Sequence, residues 1–190
     1  MPYSDPANKG WSIQTIVELL GKDNYSQILD VGPGAGIYAD LVKERELNCD
    51  IDAVEIWEPY IRGFKLEEKY RTVYHDDIRN WFARHNNSQD VYYDLIIFGD
   101  ILEHMSKDDA IRMWEYARKK ATYVMLSIPI VYYPQGHSHD NPYEEHVKDD
   151  WSTAEVLDSF PGIYKYQVFE QTGVFVAGNK DEAAHLLERE

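Results

Sequence analysis

The sequence predicts an α/β fold in which a mostly parallel sheet is covered by helices on both faces, and three observations support this prediction. Short apolar runs alternate along the 190-residue chain with segments whose apolar residues recur every three or four positions. Three glycines at alternate positions, Gly32, Gly34 and Gly36, connect the first strand-like run to the helical segment after it. No internal repeat or long linker divides the chain, so we expect a single domain over residues 1–190.

Five apolar runs predict the parallel strands, because runs of this length bounded by turn residues are typical of buried strands. The runs cover residues 27–31, 49–56, 71–77, 93–100 and 123–130. The fourth run contains the continuous apolar stretch Leu95–Phe98, which indicates a central strand buried on both faces. Two closely spaced runs, 163–171 and 173–179, predict a terminal hairpin.

Amphipathic spacing and capping residues predict the helices between these strands. Ile13, Ile16 and Leu20 follow helical spacing in a segment that ends near Gly21. Ser106 with Asp109, and Ser152 with Glu155, resemble capping boxes at the starts of two later helices. Helices are also expected over residues 37–45, from Pro59 onwards, over 78–85, and from Ser106 to about Lys120. The final residues, KDEAAHLLERE, predict a short helix or a frayed end.

The charge balance disfavours nucleic acid as a partner. The chain has 19 Lys and Arg residues against 34 Asp and Glu residues, a formal net charge of −15. Proteins that bind nucleic acids usually carry a basic face, and the densest basic cluster here is only Arg118–Lys120. We therefore expect no DNA partner.

Other bulk features concern the cellular location. The longest apolar runs are too short to span a bilayer, so no membrane partner is expected. The first residues, MPYSDPANKG, lack the apolar segment of a secretion signal. The single cysteine, Cys49, excludes an intramolecular disulfide and fits a reducing compartment. These features together predict a cytoplasmic protein.

The glycine loop indicates a nucleotide-type ligand held close to the backbone. Its spacing differs from the dinucleotide pattern G-x-G-x-x-G, because Ile37 stands where that pattern has its third glycine. Asp30 lies two residues before Gly32, and a carboxylate there repels a pyrophosphate but suits a cationic ligand. S-adenosyl-L-methionine has an ammonium group, a sulfonium group and no phosphate, so it meets this requirement. A tight strand-to-helix turn without a ligand is the alternative interpretation.

The stretch Leu29–Gly36, LDVGPGAG, resembles motif I of the class I S-adenosylmethionine-dependent methyltransferases. Later motifs extend the resemblance over about Gln27 to Pro129. The resemblance implies a Rossmann-like three-layer sandwich with a seven-stranded, mostly parallel sheet and an antiparallel terminal strand. It also implies S-adenosyl-L-methionine as the cofactor and methyl transfer as the activity.

The resemblance further implies which residues contact the cofactor. Glu55 lies 19 residues after Gly36, at the place where a carboxylate accepts both ribose hydroxyls. An acid after the third strand takes the adenine amino group in this family; Asp77 is preferred here, with Asp76 as the alternative. The expected cofactor-binding residues are Asp30, Gly32, Gly34, Gly36, Glu55, Ile56, Asp76, Asp77, Ile78 and Asp100.

The methyl acceptor is expected outside the carboxyl ends of the strands, where open α/β sheets bind their ligands. Leu102-Glu103-His104 resembles a tripeptide often found after the fourth strand of small-molecule methyltransferases. The connection over residues 131–150 is long, polar and aromatic, and long loops in compact domains are usually functional or disordered. We expect this segment to cover the acceptor and to become more ordered on binding.

The histidines of these two regions permit three interpretations. In the first interpretation, a histidine accepts the proton that an oxygen or nitrogen acceptor must release. In the second, a group of side chains binds a metal ion. In the third, the histidines only form hydrogen bonds within a loop. The side chains considered as metal ligands are His137, His139, Asp140, Glu145 and His146. We assign no metal site, and the candidate catalytic residues are His104, His146 and His137.

The function hypothesis is methyl transfer to an oxygen or nitrogen of a small-molecule acceptor. Methylation of a protein or RNA, and cofactor binding without turnover, are the alternatives. A nicotinamide oxidoreductase is disfavoured by Ile37 and Asp30. Asn141-Pro142-Tyr143 is similar to the Asn-Pro-Pro-Tyr motif of amino methyltransferases, but that motif belongs after the fourth strand, so we reject the match. The oligomeric state stays open.

Overall fold

The computed structural model describes residues 6–138 and 140–178, which form one seven-stranded sheet with helices on both faces. The strands are β1 (Ser26–Val31), β2 (Cys49–Glu55), β3 (Thr72–His75), β4 (Tyr93–Gly99), β5 (Ala121–Pro129), β6 (Ile163–Val168) and β7 (Thr172–Gly178). The helices are α1 (Pro6–Leu20), α2 (Ile37–Glu44), α3 (Glu58–Gly63), α4 (Ile78–His85), α5 (Lys107–Lys120) and α6 (Thr153–Ser159). His139 and the helix predicted over residues 180–190 lie outside the described residues.

The strand order in the sheet is β3-β2-β1-β4-β5-β7-β6. β1 pairs in parallel with β2 and β4, and the parallel pairing continues to β3 on one side and β5 on the other. β7 pairs antiparallel with both β5 and β6, so it alone runs against the other strands. The predicted seven-stranded, mostly parallel sheet with its terminal hairpin and antiparallel last strand is confirmed.

The sheet separates two apolar layers, and alternate residues of each central strand face opposite layers. Ile28 and Ile97 pack with helices α1, α2 and α3 on one face. Leu29, Ile96 and Phe98 pack with α4, α5 and α6 on the other. The central strands are therefore apolar on both faces, as a parallel sheet between two helical layers requires.

The strand order reverses between β1 and β4, because β1 leads outward to β2 and β3 while β4 leads outward to β5. At such a point the connections leave the carboxyl edge in opposite directions and open a crevice between them. The glycine loop follows β1 and the Leu102–His104 turn follows β4, so both flank this crevice.

Helix α1 begins at Pro6, earlier than the apolar spacing from Ile13 predicts. Its first turns bury polar residues: Asn8 is fully buried, and its amide donates to the hydroxyls of Ser127 at 3.4 Å and Thr172 at 3.2 Å. Helical spacing of apolar residues fails to detect a helix face whose inward residues are polar and hydrogen-bonded.

The third strand ends at His75, two residues earlier than predicted. Asp77 has extended backbone geometry and its carboxylate accepts a hydrogen bond from the amide of Arg79, so it caps α4. Asp76 and Asp77 therefore lie in the turn between β3 and α4, at the carboxyl edge of the sheet.

The segment 131–150 is irregular in its described part, apart from the single 3₁₀ turn Pro142–Glu144. Its backbone is nevertheless held by internal bonds, from the Tyr133 amide to the Asp149 carbonyl at 2.8 Å and from the His146 amide to the Gln135 carbonyl at 2.9 Å. In the part of the chain that the structure describes, every helix is too short or too polar to cross a membrane.

Leu95→Ala should lower the free energy of unfolding by about 2–5 kcal/mol, because it opens a cavity on the fully buried central strand β4. Leu157→Ala is the matched control, since this leucine is 37% exposed on α6 and should lose no more than about 1 kcal/mol. Urea denaturation measures both variants. Equal losses would contradict the assignment of β4 to the centre of the core.

Candidate functional site

Two adjoining cavities lie at the carboxyl edge of the sheet. The first encloses about 630 Å³, open mouth included, between α1, the glycine loop and the ends of β2 and β4. The second encloses about 500 Å³ beside the β3–α4 turn. They form one cleft because they share the lining residues Gly32, Ile56, Ile101, His104 and Tyr143.

The glycine loop needs glycine for both conformation and space. Gly32, Gly34 and Gly36 have φ angles of 62°, 52° and 77°, a region that side chains with a Cβ rarely adopt. A Cβ on Gly32 would also overlap the Cδ1 of Ile101. Gly36 does not line the cleft; it begins α2, and a Cβ there would lie 2.9 Å from the Cδ of Lys69.

Asp30 lies beneath the loop near the end of β1 and lines the first cavity with 1% of its surface exposed. The Tyr70 hydroxyl donates to its Oδ2 at 2.6 Å. Burial raises the pKa of Asp30 to about 6, although the Tyr70 hydroxyl and the charge of Lys9 act in the opposite direction. A cationic ligand group in this cavity would relieve the cost of the buried charge.

Lys9 brings an ammonium group into the same cavity from α1, where it is 5% exposed. Its Nζ donates to the Tyr38 hydroxyl at 3.1 Å and lies 3.7 Å from the Oδ2 of Asp100. Burial alone would lower the pKa of Lys9, but Tyr38 and the carboxylates of Asp100 and Asp30 raise it above its ordinary value. The cavity therefore presents a cation beside two carboxylates.

Glu55 ends β2 and turns its carboxyl group into the first cavity, with 4% of the residue exposed. Its Oε1 accepts the backbone amide of Trp57 at 2.7 Å, and the amide of Gly34 also bonds to the carboxyl group. Burial raises the pKa of Glu55 to about 7 despite these two bonds. The group thus connects the glycine loop to the turn after β2.

The second cavity has acidic and apolar walls. Ile56 and Ile78 contribute apolar surface, while Asp76 and Asp77 contribute carboxylates. Asp77 is held by the Nε of Arg79, 3.0 Å from each oxygen, and Asp76 accepts the amide of Asp77 at 2.9 Å and pairs with Arg84. Both acids border the cavity, so their positions leave open which of them contacts a ligand.

Asp100 follows β4 with a φ of 60°, unusual for a residue other than glycine. Two bonds to Ser127 hold it: the Asp100 amide donates to the Ser127 carbonyl at 2.9 Å, and the Asp100 Oδ1 accepts the Ser127 hydroxyl at 2.6 Å.

All of the expected cofactor-binding residues except Gly36 line the cleft.

Lys9 was not predicted as a lining residue, and the segment 131–150 was predicted to cover the acceptor without its lining side chains being named. Asn141, Tyr143 and Glu144 form one wall of the first cavity, and the Tyr60 hydroxyl donates to Glu144 at 3.1 Å. The length and aromatic content of the segment indicated its importance, but not which side chains face inward. Nothing local to Lys9 marks it, because it lies on a helix far from the glycine motif in sequence.

The candidate catalytic histidines have different positions. His104 lines both cavities, and the centre of its ring lies 4.9 Å from that of His146. Burial lowers the pKa of both histidines. His137 is exposed, lines neither cavity, and its Nε2 lies 3.6 Å from a carboxylate oxygen of Glu145. The structure thus brings His104 and His146 together and leaves His137 apart.

No protein-family model matches the chain, and no curated protein matches it in sequence. Many solved structures match its fold. A SAM-dependent methyltransferase from Archaeoglobus fulgidus superposes with a TM-score of 0.65 at 16% identity, covering 93% of this chain and 95% of that one. The N-terminal domain of EvdMO1, solved with SAH bound, gives 0.63 at 14% identity, covering 94% and 82%.

A third similar structure is magnesium protoporphyrin IX methyltransferase from Synechocystis PCC 6803 with bound SAM. It has a TM-score of 0.60 at 14% identity, covering 92% of this chain and 81% of that one. At such identities the likeness establishes a shared fold. The Rossmann-like architecture expected from motif I is confirmed.

Glu55→Gln should make the stability of the cofactor-free protein less sensitive to pH. A carboxyl group with a folded pKa of about 7 and an ordinary value of 4.5 holds its proton more tightly in the folded state. Its contribution to stability therefore falls as pH rises from about 4.5 to 7. The free energy of unfolding of the variant, relative to the parent, should increase between pH 5 and pH 8 in urea titrations. A relative decrease would contradict the effect of burial on this group.

Proposed function

We propose that the protein is an S-adenosyl-L-methionine-dependent methyltransferase that acts on an oxygen or nitrogen of a small molecule. The observation that carries this proposal is the arrangement of charges in the first cavity. Buried Asp30, Lys9 and Glu55 surround a glycine loop at the reversal point of the strand order. The shared fold with structures solved with SAM or SAH supports it.

The charges fit the amino-acid part of the cofactor. A zwitterion needs an anion for its ammonium group and a cation for its carboxylate, and Asp30 and Lys9 lie in the same cavity. The glycine loop allows the ligand to approach the backbone closely. A pyrophosphate does not fit, because the buried acids Asp30 and Glu55 face the space that it would occupy.

The remaining cofactor groups fit the next part of the cleft. Glu55 lines the first cavity, and its carboxylate would accept the two ribose hydroxyls, which would offset the cost of burying the charge. Ile56 and Ile78 offer apolar surface to an adenine ring in the second cavity. One of the two acids there, Asp76 or Asp77, takes the adenine amino group. Both carboxylates already have an arginine partner, Arg79 for Asp77 and Arg84 for Asp76, so these contacts favour neither acid.

The acceptor would enter beside His104 and the wall formed by Asn141, Tyr143 and Glu144. A cleft of this size suits a small molecule. Magnesium protoporphyrin IX methyltransferase, one of the similar structures, is named for a small-molecule acceptor. The net charge of −15 disfavours nucleic acid, and the single cysteine fits a cytoplasmic location. A single domain over residues 1–190 remains part of the proposal.

The bound cofactor would supply an electrophilic methyl group on a positively charged sulfur. The residues of the cleft would hold it in line with the acceptor and would exclude water, which together would supply much of the rate. The segment 131–150 would close over the acceptor and become more ordered. His104 lines both cavities and would accept the proton that the acceptor loses, while His146 packs against its ring and lines neither cavity. No covalent intermediate with the protein is required.

S-adenosylhomocysteine should bind with micromolar affinity and raise the melting temperature, while NAD should not bind. Glu55→Ala should weaken binding by about 1–3 kcal/mol, because charge-assisted hydrogen bonds to ribose are lost. Glu67→Ala removes an exposed acid and is the control. Calorimetric titration measures all three proteins. Absence of binding at millimolar S-adenosylhomocysteine would refute the proposed function.

Lys9→Met should weaken binding of the amino-acid end of the cofactor and leave binding of its nucleoside end unchanged. The variant should bind S-adenosylhomocysteine roughly tenfold more weakly or worse, because the carboxylate loses a charged donor. It should bind 5′-methylthioadenosine, which has no carboxylate, as tightly as the parent does. Lys43→Met, at an exposed position of α2, is the control. Equal loss for both ligands would show that Lys9 only maintains the fold.

A further inference from the structure

Three potential metal ligands meet at the edge of the cleft. Glu103 and His104 lie in the turn after β4, and the Glu103 carbonyl accepts the amides of Val147 at 2.9 Å and Lys148 at 3.1 Å. These two bonds hold the neighbouring His146 beside the turn. A nitrogen of each histidine and a carboxylate oxygen of Glu103 all lie within 4.8 Å of one another.

The hydrogen bonds of the two histidines determine which nitrogen is free to bind a cation. The Nδ1 of His104 lies 3.1 Å from the carbonyl of Glu145, and the Nδ1 of His146 lies 2.7 Å from the carbonyl of Tyr133. A carbonyl only accepts, so each Nδ1 carries the hydrogen and each Nε2 has a free lone pair. Histidine ligands of metal ions in proteins are usually oriented by such a bond from the other nitrogen.

The buried carboxylate of Glu103 independently indicates that this position binds a cation. The residue is 1% exposed, and its Oε2 is buried without a hydrogen-bond partner among the described residues. Buried polar atoms are usually paired, and an unpaired carboxylate oxygen is costly. This position therefore favours a cation and disfavours a second anion.

We propose that Glu103, His104 and His146 bind a divalent transition-metal ion at the acceptor end of the cleft. Two imidazoles and one carboxylate suit ions such as Mn²⁺, Co²⁺ or Zn²⁺, whereas Mg²⁺ prefers oxygen ligands. With bonds of about 2.1 Å, ligand atoms around one ion lie about 3–3.4 Å apart, so any of the three atoms that are farther apart than this would move closer on binding. No metal site was predicted from the sequence, and the side chains considered there were those of His137 and His139 with Asp140, Glu145 or His146.

Three protein ligands would leave coordination positions open, and because His104 lines both cavities the ion would lie beside the cleft. This step rests on the proposed function. A hydroxyl acceptor bound to the ion would become more acidic and would release its proton to water, because both histidines would then be ligands and could not accept it. The oxygen lone pair then forms the bond to the methyl carbon, the carbon–sulfur bond breaks, and its electron pair stays on sulfur. The ion keeps its oxidation state throughout.

Cobalt titration of the tag-free full chain, freed of metal with a chelator, tests the site. We expect one Co²⁺ to bind with visible absorption bands that report nitrogen ligation, and Mg²⁺ to compete poorly. Glu103→Gln, His104→Ala and His146→Ala should each weaken Co²⁺ binding at least tenfold. His85→Ala is the matched control, because His85 lines neither cavity and its ring packs on Trp81. It should leave the affinity unchanged.

The outcomes separate this inference from the proposed function. Absence of Co²⁺ binding at millimolar concentration, or equal effects of His85→Ala and His146→Ala, overturns the metal site. S-adenosylhomocysteine binding, measured on the same metal-free samples, reports the proposed function on its own. Melting curves identify any variant that fails to fold, and the near-isosteric Glu103→Gln then decides the result. If Co²⁺ binds through these residues and S-adenosylhomocysteine does not bind, the metal site stands without the methyltransferase.

Discussion

The parallel pairing of β1 with both β2 and β4 is the constraint on which the cleft depends. Because the three strands run in the same direction, the acids at or just beyond their carboxyl ends, Asp30, Glu55 and Asp100, meet at one edge. The reversal of strand order at β1 then directs the following loops apart and leaves space between them. The glycines of the loop after β1 keep that space free of side chains.

The charge distribution of the cleft follows from this geometry and carries a cost. Burial raises the pKa of Asp30 and of Glu55, so each carboxylate is less stable in the folded protein than in water. The charge of Lys9, from α1, compensates part of the negative charge of Asp30. Sites that bind charged ligands commonly keep such unfavourable groups, because the ligand then supplies the missing interactions.

The irregular segment 131–150 and the turn after β4 depend on each other. The Glu103 carbonyl holds the backbone at Val147 and Lys148, while carbonyls of the segment orient His104 and His146. The fold therefore places two histidines and a buried carboxylate beside the cleft without using a regular element for His146. A short connection would suffice to join β5 to α6, so the length of this segment is better explained by the wall that it builds.

The sequence alone determined the strands, most helices, the glycine loop and the acids at the strand ends, since these features are local and periodic. The start of α1 was not predicted, because its buried residue Asn8 is polar and its hydrogen-bond partners lie on β5 and β7. Tertiary structure alone decided that Lys9 faces Asp100, and that His146 lies beside Glu103 while His137 does not. These contacts join residues far apart in the chain, and their geometry arises from packing of whole elements, which no local spacing of residues records.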